Sequence, residues 1–155
     1  MRIHLEEGSV FQVSKRWLDV SSDNTVSMLI ENLDDNDVNA YILAIEIVST
    51  GEFAIDIYHD VTVASYGTEL YPQNLNLANG TQSTIKVYTD GSYSGGTRFI
   101  ETVSPGGSGQ KAFGSLAEVG EMLILSPGHN MLIVGTNMSS AAEHMSIRCL
   151  WWEYE

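Results

Sequence analysis

One cysteine and seven basic residues are all that this chain of 155 residues holds of those types. Each shortage excludes something. A single thiol, Cys149, cannot close an intrachain disulfide, so the fold is not a disulfide-stapled scaffold. Set in an apolar run, it reads as a small buried hydrophobe. Seven Lys and Arg against twenty Asp and Glu leave a net charge of −13. A phosphate-binding surface needs the opposite balance, so nucleic acid is excluded as the main partner. The acidity favours solubility and attraction to a basic partner. No stretch approaches the roughly 18 consecutive apolar residues of a membrane helix, so no membrane partner is expected. Met1 to Gly8 is charged and lacks the apolar centre of a signal peptide; synthesis in the cytoplasm is expected, with exit only by lysis or assembly. The helical period is also missing, and Ser115 to Glu121 offers one turn at most.

What is present has the strand period. With 43% apolar and 17% charged residues, the chain has the make-up of a globular protein, and its length suits one domain, residues 1–155, with Met1 to Gly8 as a candidate N-terminal arm. Val10 to Val20 is β-rich, and Asn24 to Asn32 follows the polar turn Ser21-Ser22-Asp23. Leu33 to Asn39 is an acidic loop before the β-branched run Ala40 to Ser49. Thr50-Gly51 breaks that run, and in Glu52 to Asp60 the residues Phe53, Ile55 and Ile57 share one face, which predicts a hairpin across the break. Tyr66 to Gly80 is irregular and rich in turn formers. Thr81 to Thr89 reads as a strand closed by Asp90-Gly91, followed by a strand over Thr97 to Val103 and the loop Ser104 to Gly109. Glu121 to Leu125, Met131 to Val134 and His144 to Tyr154 complete the series. About eight or nine strands and no helical layer predict an all-β, two-sheet antiparallel sandwich of jelly-roll type.

Chemical motifs are sparse. Asp35, Asp37, Asn39, Tyr41 and Glu46 have the spacing of calcium-loop ligands, but Ala40 replaces the required glycine and Tyr41 to Val48 reads as a strand. A solvated acidic turn is the simpler reading. His4, His59, His129 and His144 stand alone in their segments, without metal-ligand spacing. No G-x-S-x-G elbow occurs, and Gly106 to Lys111 lacks the ending and the following helix of a phosphate loop. No catalytic residue, metal or cofactor is therefore expected, and the protein reads as a non-enzyme. The sequons at Asn79 and Asn137 read as chance matches. Aromatic residues are more informative: Trp17, Trp151, Trp152, Tyr66, Tyr71 and Tyr93 are candidates for stacking on sugars or for protein contact. Trp151 and Trp152 must point to opposite faces of their strand, one into the core and the other outward as a contact residue.

Several stretches together resemble the single-jelly-roll decoration, or cement, proteins of tailed-phage capsids. They are Glu52-Phe53-Ala54-Ile55-Asp56-Ile57-Tyr58-His59-Asp60, then Gly67-Thr68-Glu69-Leu70-Tyr71-Pro72 with Asn74-Leu75-Asn76, then Ser83 to Tyr88, and finally Ile147-Arg148-Cys149-Leu150-Trp151-Trp152-Glu153-Tyr154. The resemblance covers about the last two-thirds of the chain; Met1 to Asp23 does not align. It implies a homotrimer, made in the host cytoplasm, that sits on the outer capsid surface near threefold or quasi-threefold positions and bridges major capsid proteins. Where family members often carry arginines, Leu75 and Leu77 alternate with asparagines here, which implies an apolar contact with the shell. Tyr66 to Leu77 and Tyr93 to Phe99 are more elaborate than turns require, so Tyr66, Leu70, Tyr71, Leu75, Leu77, Tyr93 and Phe99 join Trp152 as candidate contact residues. Two competing readings are a carbohydrate-binding sandwich module of a phage tail or fibre, and an enzyme on a cupin-like scaffold with two or three histidines and a carboxylate inside the barrel.

Overall fold

The computed structural model describes residues 7–107 and 123–154. The expected Ser115 to Glu121 turn, His4, and all of the N-terminal arm but Glu7 and Gly8 lie outside these residues. Among the described residues, eight strands build the body: β1 (Val10–Val20), β2 (Thr25–Asn32), β3 (Asn39–Ser49), β4 (Phe53–His59), β10 (Thr97–Ser104), β11 (Leu123–Leu125), β12 (His129–Asn137) and β13 (Glu143–Tyr154). One sheet has the order β11-β3-β13-β1 and the other β10-β4-β12-β2, with every pairing antiparallel. Successive strands alternate between the sheets, except that β4 and β10 share one. That winding is a jelly roll, as expected from the sequence. The strand count is higher than expected, because residues 60–96 between β4 and β10 add five short strands. These are β5 (Thr62–Ser65), β6 (Thr68–Leu70), β7 (Gln73–Asn74), β8 (Lys86–Thr89) and β9 (Ser92–Ser94).

Alternation puts one face of each strand into the core. Phe53, Ile55 and Ile57 of β4 meet Phe11 of β1, Met28 and Ile30 of β2, Ile45 and Ile47 of β3, Ile133 of β12, and Met145, Ile147, Cys149 and Trp151 of β13, all buried. Bulges adjust the period where the sequence breaks it. In β3 the register against β13 skips Leu43, so Ala40 and Ile42 point inward before it and Ile45 and Ile47 after it. In β10 the skipped residue is Phe99, which the extra step turns outward.

The hairpin expected across Thr50-Gly51 does not exist. β3 pairs with β11 and β13, β4 with β10 and β12, and the turn carries the chain from one sheet to the other. A turn between two alternating strands has the same sequence signature whether the strands pair or face each other across a core. The strand expected over Thr81 to Thr89 begins only at Lys86.

Candidate interaction surface

The insertion, residues 60–96, holds most of the expected contact residues, and three carboxylates fasten it to the body. It departs at Asp60, which adopts a left-handed φ of +57° that Asp tolerates better than most residues. His59 Nδ1 lies 2.8 Å from Asp60 Oδ2, and His129 Nδ1 lies 2.8 Å from Asp60 Oδ1. Hydrogen bonds from His59 and then His129 hold the Asp60 carboxyl below its ordinary range. Next to it, the Asn130 side chain accepts from the Val61 amide and donates to the Val61 carbonyl, both at 2.9 Å.

Beyond that corner, β5 and β9 form a two-stranded ribbon over the outer face of the β10-β4-β12-β2 sheet. Val61, Val63 and Tyr93 pack there against Leu29, Leu132, Tyr58, Tyr88 and Val134 as a second apolar cluster. The chain then reaches both sheets: β6 pairs with β8, which pairs with β2, and β7 pairs with β1. The insertion thus caps the β1 and β2 edges, whose open backbone would otherwise offer a template for foreign strands.

The other two fastenings are Glu153 and Asp90. Buried Glu153 accepts from Trp151 Nε1 at 3.0 Å and from the Ser83 hydroxyl on Oε1, and from the Thr84 amide and hydroxyl, each at 3.1 Å, on Oε2. Asp90, also at positive φ, accepts from Trp17 Nε1 at 2.7 Å and from the Ser27 amide at 3.1 Å. Between these points the loop is stiffened by asparagines: the side-chain oxygens of Asn74, Asn76 and Asn79 accept from the amides of Asn76, Ala78 and Thr81. At Gly67, φ is +77° and an added Cβ would lie 2.2 Å from the Thr89 carbonyl, so only glycine fits this crossing.

The expected contact residues divide by exposure. Leu77 is 92% and Tyr71 72% exposed, and both project from the insertion. Tyr66 is exposed, stacks at a tilt on Tyr88 with 4.6 Å between centroids, and donates to Glu31 at 3.2 Å. Burial and the Glu31 charge push its hydroxyl pKa up. Leu75 is half-buried, and Leu70 turns inward onto the core. Tyr93 packs under the ribbon, and its pKa is raised by burial. Phe99 lies on the bulge of β10 with its ring edge-on to His59 at 5.6 Å, so the expected Tyr93 to Phe99 loop is largely strand. Trp152 points outward, as the alternation requires, and stacks on Tyr41 at 4.8 Å, while Trp151 fills the core.

Two aromatic candidates for sugar stacking, Trp17 and Trp151, are buried and hydrogen-bonded inside the protein, so neither is available to a ligand. Asn137 is also buried, donating to the Val20 and Ala141 carbonyls, which makes its sequon inert. Glu46, the last of the calcium-spaced residues, lies on β3 and pairs with Arg148 at 2.8 Å. His59, His129 and His144 are all exposed. Among the described residues no group of three or more His, Cys, Asp or Glu could hold a metal ion. No helix in them is long and apolar enough to cross a membrane.

Fold and surface together define a class: a jelly-roll sandwich with an elaborate, firmly tied insertion that presents apolar side chains. No protein-family model matches the chain, and the search of curated proteins returns no match.

Proposed function

We propose that this protein is a non-enzymatic capsid decoration protein, which binds the outside of an assembled tailed-phage shell and bridges its major capsid proteins. The observation that carries the reading is the pairing of rigidity with exposure in the insertion: Leu77 and Tyr71 are the two most exposed large apolar side chains among the described residues, on a loop fastened by Glu153 and Asp90. Anchors held in place before contact lose little entropy on binding, and buried aromatic and aliphatic anchors dominate interface energy. A ligand that binds only the assembled shell stabilises it by mass action. Three copies joined as a trimer would bind with avidity, so each patch can be modest. The acidic surface suits a partner with basic groups around an apolar seat.

Co-sedimentation with shells lacking the protein tests this reading. Saturable binding at micromolar protein, weakened at least about tenfold by Leu77→Asp, is expected, since burying an unpaired carboxylate costs more than 1.4 kcal/mol. Light scattering should give the mass of a trimer. A monomer that leaves shells bare at micromolar concentration overturns the proposal.

A further inference from the structure

We infer that the cleft inside the insertion, between the 69–74 segment and the returning 79–83 segment, is a binding site for a neutral oligosaccharide. The cleft has a volume of about 410 Å³, within the range of small-molecule sites. Its lining combines an aromatic ring with groups that both donate and accept hydrogen bonds. Tyr71 presents a largely exposed ring, beside the amides of Gln73 and Gln82 and the hydroxyl of Thr81. The Gln73 amide nitrogen is already bonded to the Tyr71 carbonyl at 3.1 Å, which directs its oxygen elsewhere as an acceptor. Glu69 and Lys86 stand 3.6 Å apart on one wall, an acceptor beside a donor, as a vicinal diol requires.

That inventory selects a ligand class. A phosphorylated or carboxylated ligand would meet one cation already balanced by Glu69, in a chain of net charge −13. A lipid would desolvate two amides, a hydroxyl and an ion pair without replacing their hydrogen bonds. A neutral saccharide supplies hydroxyls for those groups and an apolar C–H face for the Tyr71 ring. The asparagine turns that stiffen the loop also fix the cleft before the ligand arrives.

The cleft shares Tyr71 and Leu77 with the proposed shell contact, but saccharide binding to the free protein is measured without shells. Maltotriose, cellotriose and N,N′,N″-triacetylchitotriose are titrated, each to about ten times a millimolar Kd, into ¹⁵N-labelled protein while amide shifts are followed. At least one should shift the amides of Tyr71, Gln73, Thr81 and Gln82 saturably. Tyr71→Ala should weaken that binding at least fivefold and leave the unfolding midpoint unchanged, because the ring is mostly in solvent; Phe99→Ala, at a different place in the fold, should leave it intact. Absence of saturable shifts with all three sugars, or shifts indifferent to Tyr71→Ala, overturns the inference even if shells are bound.

Discussion

Replacing Glu153 by Gln changes one atom's chemistry and keeps the shape, yet it should be among the costly substitutions in this molecule. Four donors converge on the carboxylate, and two of them have no choice of role: the Trp151 indole N–H on Oε1 and the Thr84 backbone N–H on Oε2. The hydroxyls of Ser83 and Thr84 can rotate to accept, but the two N–H groups cannot. A glutamine offers one oxygen and one NH₂. Whichever way it is turned, the NH₂ faces an obligate donor. One buried N–H is then unsatisfied, at about 1–3 kcal/mol, and the surviving bonds lose their charge assistance, about another 1 kcal/mol. A loss of roughly 2–4 kcal/mol follows, equivalent to a fall in Tm of about 5–15 °C for a chain of this size. Thermal and urea unfolding at pH 7 measure the total. Hydrogen exchange at the Thr84 amide reads the local event, which should speed up before global unfolding does. Ser83→Ala, which removes one of the rotatable donors, should cost about 1 kcal/mol. If Glu153→Gln unfolds within about 0.5 kcal/mol of the parent, the assignment of Glu153 as the fastening of the 81–85 segment is wrong.

Two further outcomes follow from single groups. Burial pushes the Cys149 thiol up to about 12, and the reactive species is the thiolate, so a chromogenic disulfide reagent at pH 8 should label the denatured chain promptly and the folded chain only at the unfolding rate; fast labelling of native protein would contradict the packing of β13. The Asp60 carboxyl is held low in the fold by His59 and His129. A depressed carboxyl stabilises the native state above its unfolded pKa, about 3.9, and that contribution is lost as pH falls through the lower folded value. Asp60→Asn keeps a residue tolerant of positive φ, so it should be less stable than the parent near pH 6 and converge with it near pH 2 in urea titrations; a gap that persists unchanged in acid would exclude the two imidazole contacts as its source.

Local pattern carried most of the body. The alternation at Phe53, Ile55 and Ile57, and the opposed Trp151 and Trp152, depend only on neighbours one or two positions away, and the fold places these residues as that pattern requires. The acidic turn before β3 was legible for the same reason. What failed was always long-range. Trp17 and Asp90 are 73 positions apart, and Glu153 meets Thr84 across 69, so nothing near Trp17 marks it as a buried donor rather than a free ring. β6 and β7, three and two residues long, are too short to show a period, and they are strands only because β8 and β1 lie alongside. Just before Ile85, Thr81 is bonded to Asn74 and Asn79, and Ser83 and Thr84 are held by Glu153, instead of joining a ladder. Asp90-Gly91 was visible as a turn, while its carboxylate's grip on two strands was not.

The same contacts alter what the acidic composition means. Counted from the sequence, twenty carboxylates read as a solvated, partner-seeking surface. Three of them, Asp60, Glu153 and Asp90, accept hydrogen bonds where the insertion leaves the jelly roll, midway at Ser83 and Thr84, and shortly before it returns. Two others, Glu46 and Glu69, are occupied by Arg148 and Lys86, and Arg98 is shared between Asp56 and Glu101. Carboxylates suit the fastenings because each oxygen takes more than one donor and none of the donors needs a charge of its own. An apolar fastening of the same reach would have required a larger core under a thin loop, whereas two oxygens gather Trp17 and Ser27, or Trp151, Ser83 and Thr84, at a single point. The insertion can therefore be long and mostly polar and still hold Leu77 and Tyr71 in fixed positions outside the body, which is the property that both the proposed shell contact and the proposed saccharide site require.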